Sequence, residues 1–216
     1  MNVFTDLYRC KPPFTLRPLT LLLCLLLAFS ARGDLAKEPS LSEEPLTPVN
    51  PQVRLTTTFG DIDVELFPTE SPLTVANFLR LVDKGFYNGV IFHRVIANFM
   101  IQVGGYDTKF TYKEGPGKLK NESANGLRND RGTLSMARAN HPDSASAQFF
   151  INMKDNEHLN ARRRTPGYTV FGRVIAGFKN AQRIELSDTS VQHGMPTVPV
   201  TQIQIISAER LPTGSQ

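Results

Sequence analysis

The chain of 216 residues, 40% of them apolar, has room for one ordinary domain with a buried core and some extra length. Its formal charge of +4 is a poor guide to partners, because Arg9, Lys11, Arg17 and Arg32 against Asp6 place three of those charges in the first 33 residues. The remainder is nearly neutral, which leaves no electrostatic footprint for nucleic acid.

That opening segment sets Arg9, Lys11 and Arg17 ahead of the apolar run LTLLLCLLLAF and the small residues of FSARG. The order is that of a secretory signal peptide over 1–33, with cleavage after Ser30 or Gly33. The alternative is a membrane tether formed by an uncleaved segment, although an uncharged run of about a dozen residues falls short of the roughly 20 that span a bilayer. Cys24 follows leucines where a lipidation signal would want small residues. Both cysteines, Cys10 and Cys24, lie in this segment, so an exported product carries no disulfide, no thiol nucleophile and no cysteine metal site. From Asp34 to Pro51 the sequence DLAKEPSLSEEPLTPVNP is rich in Pro, Glu and Ser and lacks apolar periodicity, which reads as a flexible linker over 34–51. The folded domain is expected over 52–210, with a short tail over 211–216.

Within the domain, QVRLTTTFGDIDVELF holds two strand-like runs around an FGD turn, and Ile62, Val64 and Leu66 alternate with Asp61, Asp63 and Glu65. Ser71 and Pro72 form an N-cap and first-turn pair, Val75, Phe78, Leu79 and Val82 recur at helical spacing, and Gly85 supplies a stop. Further strand-like runs follow at Val90 to Val95, Phe99 to Val103, Thr133 to Ala137, Gln148 to Asn152, Tyr168 to Ile175 and Val200 to Ile206. A second helix is expected from Phe178 to Leu186. The stretch from Asp107 to Asn129, full of Gly, Lys and Asn, reads as a long loop. Eight strands with two helices imply a mainly β fold, a closed antiparallel barrel that leaves no exposed edge.

His93, His141, His158 and His193 are scattered without an i, i+4 pair, and neither a GxSxG nor an HExxH pattern occurs, which argues against a zinc site or a Ser-His-Asp triad. GKLKNES and Gly115–Gly117 lack the strand and helix context of a phosphate loop. What stands out is Phe92 to Tyr106, FHRVIANFMIQVGGY, an apolar run with Arg94 and Gln102 inside it.

Three ordered motifs, FHRVIANFMIQVGG, GTLSMARA and SAQFFI, preceded by GDIDVELFPTESPLTVANFL, resemble the cyclophilin family of peptidyl-prolyl isomerases over roughly Gln52 to Glu209. The resemblance implies a closed eight-stranded antiparallel barrel capped by two helices, X-Pro isomerase activity, and no cofactor or metal. It places Arg94 as the catalytic arginine and Gln102 as the glutamine that orients it. Phe99, Met100, Phe150 and Leu159 fall on the walls of the family's proline pocket. Ala137, Arg138 and Ala139 fall where the peptide backbone binds, with Gln148 on the adjoining strand. The duller reading of Arg94 is a strand-face arginine paired with a nearby carboxylate, and His93 is expected to pack or satisfy a backbone group.

Three positions depart from the best-known eukaryotic pattern. His158 stands where many members carry tryptophan, which implies weak cyclosporin binding. Tyr168 stands where many carry a pocket histidine; its hydroxyl can donate near the substrate carbonyl while the ring lines the pocket. Arg138 replaces a common asparagine. The run of three arginines in NARRRTPG adds affinity for acidic flanking residues or is simply a solvated charge run. The expected protein is thus a periplasmic monomer that isomerises proline-containing peptides in unfolded exported proteins. The alternative is a non-catalytic proline-peptide scaffold or chaperone.

Overall fold

Alternation decides the first two strands. In the computed structural model, which describes residues 49–212, β1 (Gln52–Thr57) and β2 (Gly60–Leu66) pair antiparallel, burying Val53, Leu55, Ile62, Val64 and Leu66. On the wet side Arg54 lies opposite Asp63 and donates to both of its carboxylate oxygens at 2.7 Å. The expected signal peptide, nearly all of the expected linker and the end of the tail lie outside the described residues.

Helix α1 (Pro72–Asp83) buries Val75, Phe78, Leu79 and Val82, the residues at helical spacing. Gly85, at φ +63°, ends it, with its N–H returning to the Val82 carbonyl at 2.9 Å. Its start differs from expectation. The Ser71 hydroxyl does not cap the helix but donates to the Val170 carbonyl at 2.7 Å. The carboxylate of Glu122 accepts from Leu73 N at 3.0 Å and Thr74 N at 2.9 Å instead, a charged cap supplied by the long loop.

The remaining strands are β3 (Val90–Ile91), β4 (Arg94–Ile96), β5 (Met100–Val103), β6 (Thr133–Met136), β7 (Phe149–Asn152), β8 (Val170–Ala176), β9 (Thr189–Gln192), β10 (Met195–Pro199) and β11 (Gln204–Arg210). Helix α2 (Phe178–Glu185) precedes β9 and buries Ala181 and Ile184. The main sheet has nine strands in the order β3, β11, β1, β2, β8, β6, β7, β5, β4, and β9 with β10 forms a separate hairpin. The expected closed eight-stranded barrel is therefore a nine-stranded sheet curled into a half-barrel, with β3 and β4 at its edges and not paired with each other. The run expected as one strand, Val90 to Val95, splits because its first half pairs with β11 and its second half with β5. Phe92 and His93 carry the chain from one sheet edge to the other.

The core lies inside the curl under α1. Phe78, Tyr87, Phe149 and Phe171 interlock at its centre, with Phe78 edge-on to Phe149 at 5.3 Å and 5.2 Å from Phe171. The Tyr87 hydroxyl, fully buried, donates to the Ala147 carbonyl at 2.9 Å. No helix among the described residues is long and apolar enough to cross a membrane.

Candidate active site

The tight turn between β4 and β5 sets Arg94 directly opposite Gln102 on the ladder, and β7 sets Phe150 on the other side of Gln102. Side chains at these register positions share one face of the sheet. They open onto a cleft of about 160 Å³ lined by Arg94, Phe99, Met100, Gln102, Ala137, Arg138, Phe150, Leu159 and Tyr168. Roughly 300–1,000 Å³ is usual for a drug-sized ligand, so this cleft has room for one small ring. Met100, Phe150 and Leu159 form its buried floor, with Phe99, Ala137 and Tyr168 packed against them. Phe150 meets Tyr168 edge-on at 5.7 Å.

Arg94 reaches over this apolar floor. Its Nη1 lies 3.3 Å from Gln102 Oε1 and 3.8 Å from Met100 Sδ, and its Cζ stands 5.8 Å from the centroid of the Phe99 ring. Among the described residues no carboxylate lies within 4.0 Å of it, so the ion-paired reading of this arginine is not what the structure shows. A second amide continues the chain of contacts: Gln102 Nε2 donates to Gln148 Oε1 at 2.9 Å. Gln148 lies flat against Gly105, where a Cβ would come within 2.5 Å of the Gln148 amide carbon. The glycine is what lets the amide approach the backbone.

Ala139 and Gln148 lie in an adjoining groove of about 280 Å³, which shares Gln102, Ala137 and Arg138 with the cleft and continues past Ser144, Ser146 and Lys113. Arg138 is tied down across the mouth of both. It donates to the carbonyls of Gly167 at 3.2 Å, Ala139 at 3.0 Å and Pro166 at 3.0 Å, and its Cζ lies 4.7 Å from the Tyr168 ring centroid. His158 does not line the cleft; it is exposed and stacks on the outer face of Phe99 at 5.6 Å. His93 is buried behind Arg94, 4.9 Å from the Tyr106 ring, with Nδ1 unpartnered, and burial pushes its imidazole down to about 4. It stays neutral at physiological pH.

Sequence reasoning missed the polar layer beneath the cleft. Asn129, Ser135, Asn152 and Asn156 are all buried. Ser135 Oγ donates to Asn129 Oδ1 at 2.7 Å, Asn156 Nδ2 donates to Asn152 Oδ1 at 2.8 Å, and the same Nδ2 donates to the Phe99 carbonyl at 2.9 Å. The network pins the Phe99 turn and the turn before Leu159 to the sheet, so both cleft walls hang from it. Ser135 inside GTLSM and Asn152 closing FFIN were the available signals, polar residues in strands otherwise apolar. No group of three His, Asp, Glu or Cys side chains able to hold a metal occurs among the described residues.

The family model for the cyclophilin type peptidyl-prolyl cis-trans isomerase matches residues 52–210. The chain belongs to the cyclophilin family. This cyclophilin is 47% identical over 160 residues to a peptidyl-prolyl cis-trans isomerase of Acinetobacter baylyi, covering 74% of this chain and 85% of that one. It is 48% identical over 162 residues to peptidyl-prolyl cis-trans isomerase cyp18 of Streptomyces antibioticus, covering 74% and 98%. Among solved structures, a cyclophilin of Cryptosporidium parvum in the presence of the dipeptide Ala-Pro superposes with a TM-score of 0.61 at 30% identity, over 74% of this chain and 99% of that one.

Proposed function

We propose that the cleft beside Arg94 is where this cyclophilin carries out the peptidyl-prolyl cis-trans isomerisation of its family, and that its clients are proteins folding after export. The barrier to rotation about an amide C–N bond is about 18–20 kcal/mol because nitrogen shares its lone pair with the carbonyl. An unassisted X-Pro switch takes tens to hundreds of seconds. As the bond twists, the lone pair localises on the prolyl nitrogen and becomes a hydrogen-bond acceptor. A donor aimed there stabilises the twisted state and not the planar ground states. About 5–6 kcal/mol of such stabilisation gives roughly 10⁴-fold acceleration.

The observation that carries this reading is a guanidinium with no carboxylate partner among the described residues, steadied by Gln102, over a cleft floored by Met100 and Phe150. Permanently charged and multiply donating, it needs no proton transfer to act. The floor holds the proline ring while the acyl side turns, and no covalent intermediate forms. Gln102 keeps the guanidinium aimed, and Gln148 keeps Gln102 aimed.

Export rests on the sequence: the basic stretch and apolar run of 1–33, then a Pro- and Glu-rich linker. Slow X-Pro steps limit folding there as elsewhere. Weak cyclosporin binding belongs to the same reading, since an exposed His158 against Phe99 offers less surface than a tryptophan would.

The test is the isomerisation rate of a proline tetrapeptide with the full chain. Catalysis is expected, and Arg94→Ala lowers kcat/KM by roughly 10²–10³-fold with thermal unfolding unchanged. An unaccelerated rate at saturating protein identifies a proline-binding scaffold instead.

A further inference from the structure

We infer that the loop Ala161–Gly167 selects substrates that carry aspartate or glutamate near the X-Pro bond. This deepens the isomerase reading and rests on it. Arg162, Arg163 and Arg164 are consecutive and exposed, and among the described residues no carboxylate lies within 4.0 Å of any of them. Arg128, across a groove of about 410 Å³ from Arg162 and Arg163, is by contrast already neutralised, by Glu157 at 2.9 Å and Asp130 at 3.4 Å. Glu157 and Asp130 are thus paired with Arg128, and the three loop arginines have no carboxylate in contact among the described residues. Arg94 and Arg138, in the cleft itself, also lack a carboxylate within 4.0 Å among the described residues, so the cleft presents two further unpaired positive charges to a substrate.

The backbone of this loop is held at several points, which sets it apart from an ordinary solvated charge run. Arg162 and Thr165 exchange backbone hydrogen bonds at 2.9 and 3.0 Å, making a tight turn. Gly167 N donates to Ser123 Oγ at 2.9 Å, Tyr168 N donates to the Leu159 carbonyl at 2.9 Å, and Asn160 Oδ1 accepts from Asn129 N at 2.6 Å. Arg138 adds its bonds to the Pro166 and Gly167 carbonyls. A charge presented on fixed backbone loses less entropy on pairing than one on a free loop.

Position then connects the loop to the substrate. Leu159 and Tyr168, the two ends from which the loop springs, both line the cleft. Arg162 follows Leu159 by three residues, so its Cα lies within about 11 Å of that wall. A peptide whose proline sits in the cleft extends about 3.3–3.6 Å per residue, so side chains two to four positions away come within reach of the arginines. That span is comparable to the Debye length of about 8 Å at physiological ionic strength, so the attraction is only partly screened.

The experiment uses the full chain and proline peptides with Glu, Gln or Lys placed singly at two, three or four residues on either side of the X-Pro bond. At low salt, the best-placed glutamate is expected to raise kcat/KM roughly fivefold over glutamine, with lysine below both. The ratio falls towards one in 0.5 M NaCl and in the variant with Arg162→Ala, Arg163→Ala and Arg164→Ala together, whose thermal unfolding is checked alongside. A glutamate-to-glutamine ratio near one at low salt overturns the inference, and so does a ratio that survives in the triple variant. Turnover of the glutamine peptides reports the isomerase reading separately: if the unsubstituted protein leaves them unaccelerated, that reading fails first.

Discussion

Replacing Gly105 by alanine probes the amide chain behind Arg94 without replacing any residue in it. The Gly105 backbone is not in the positive-φ region, so alanine adds no conformational strain of its own. Its Cβ would nevertheless fall 2.5 Å from Gln148 Cδ, 2.6 Å from Nε2 and 2.9 Å from Cγ, all inside van der Waals contact. The Gln148 amide, the far end of a flexible side chain, must swing away, and the 2.9 Å bond from Gln102 is lost with it. Gln102 is then free to turn from Arg94. A neutral hydrogen bond of this kind contributes about 0.5–1.5 kcal/mol net, which corresponds to a loss of roughly 2- to 12-fold in kcat/KM. The assay is peptide isomerisation in four proteins: the unsubstituted chain, Gly105→Ala, Gln148→Ala and the double variant. Once Gln148 is alanine the new methyl has nothing to displace, so Gly105→Ala becomes silent, and the coupling in the cycle equals its whole effect. Equal losses in both backgrounds, or no loss in the single variant, would refute the relay.

Three further outcomes follow from the same geometry. His93 binds a proton below about 6.5 when unfolded but only below about 4 in the fold, so stability falls as pH drops through that window, by about 2 kcal/mol between pH 7 and pH 5; urea melts should show that slope and lose it in His93→Gln. Asn156→Ala removes the donor to both the Phe99 carbonyl and Asn152 Oδ1 and should destabilise by about 2 kcal/mol, with KM rising as the Phe99 wall loosens. Arg138→Ala frees the segment 166–168 and should raise KM several-fold with a smaller change in kcat; Arg138→Lys restores only part, because an ammonium cannot reproduce a planar fork that bonds four carbonyls and covers a ring.

The parts of this fold that sequence discloses are those whose cause is local. Ile62, Val64 and Leu66 alternate because one face of β2 is dry, and the Pro72 start and Gly85 stop of α1 are fixed by backbone chemistry within the helix itself. What escaped depends on distant partners. The helix cap comes from Glu122, far along the chain from Thr74, and the division of the run 90–95 is decided by β11 and β5, each next to an opposite edge of the sheet. The β9–β10 hairpin was invisible because only Val198 and Pro199 of its residues are buried and because Pro196 and Pro199 weaken any strand pattern. Similarly the last strand, expected at Val200 to Ile206, runs from Gln204 to Arg210. At the site, motif positions converge on the cleft and the groove that adjoins it, with the exception of His158. The carbonyls that restrain Arg138 and the asparagines under Phe99 had no comparable signature, since backbone acceptors and buried amides look alike along any sequence.

The placement of β11 sets the order in which this protein can come into being. Among the described residues β11 is the last strand to leave the ribosome, and it sits between β1, the earliest of them, and β3, so two ladders wait for it. Until it arrives, the edges of β1 and β3 stand open, and zipping demands closure of a loop nearly as long as the domain. A chain emerging N-terminus first therefore cannot complete this sheet before β11 is out. Trimming only a few residues from the end of β11 would cost it its pairs with Val53, Arg54 and Leu55, while those of Gln204 and Ile205 with β3 would remain.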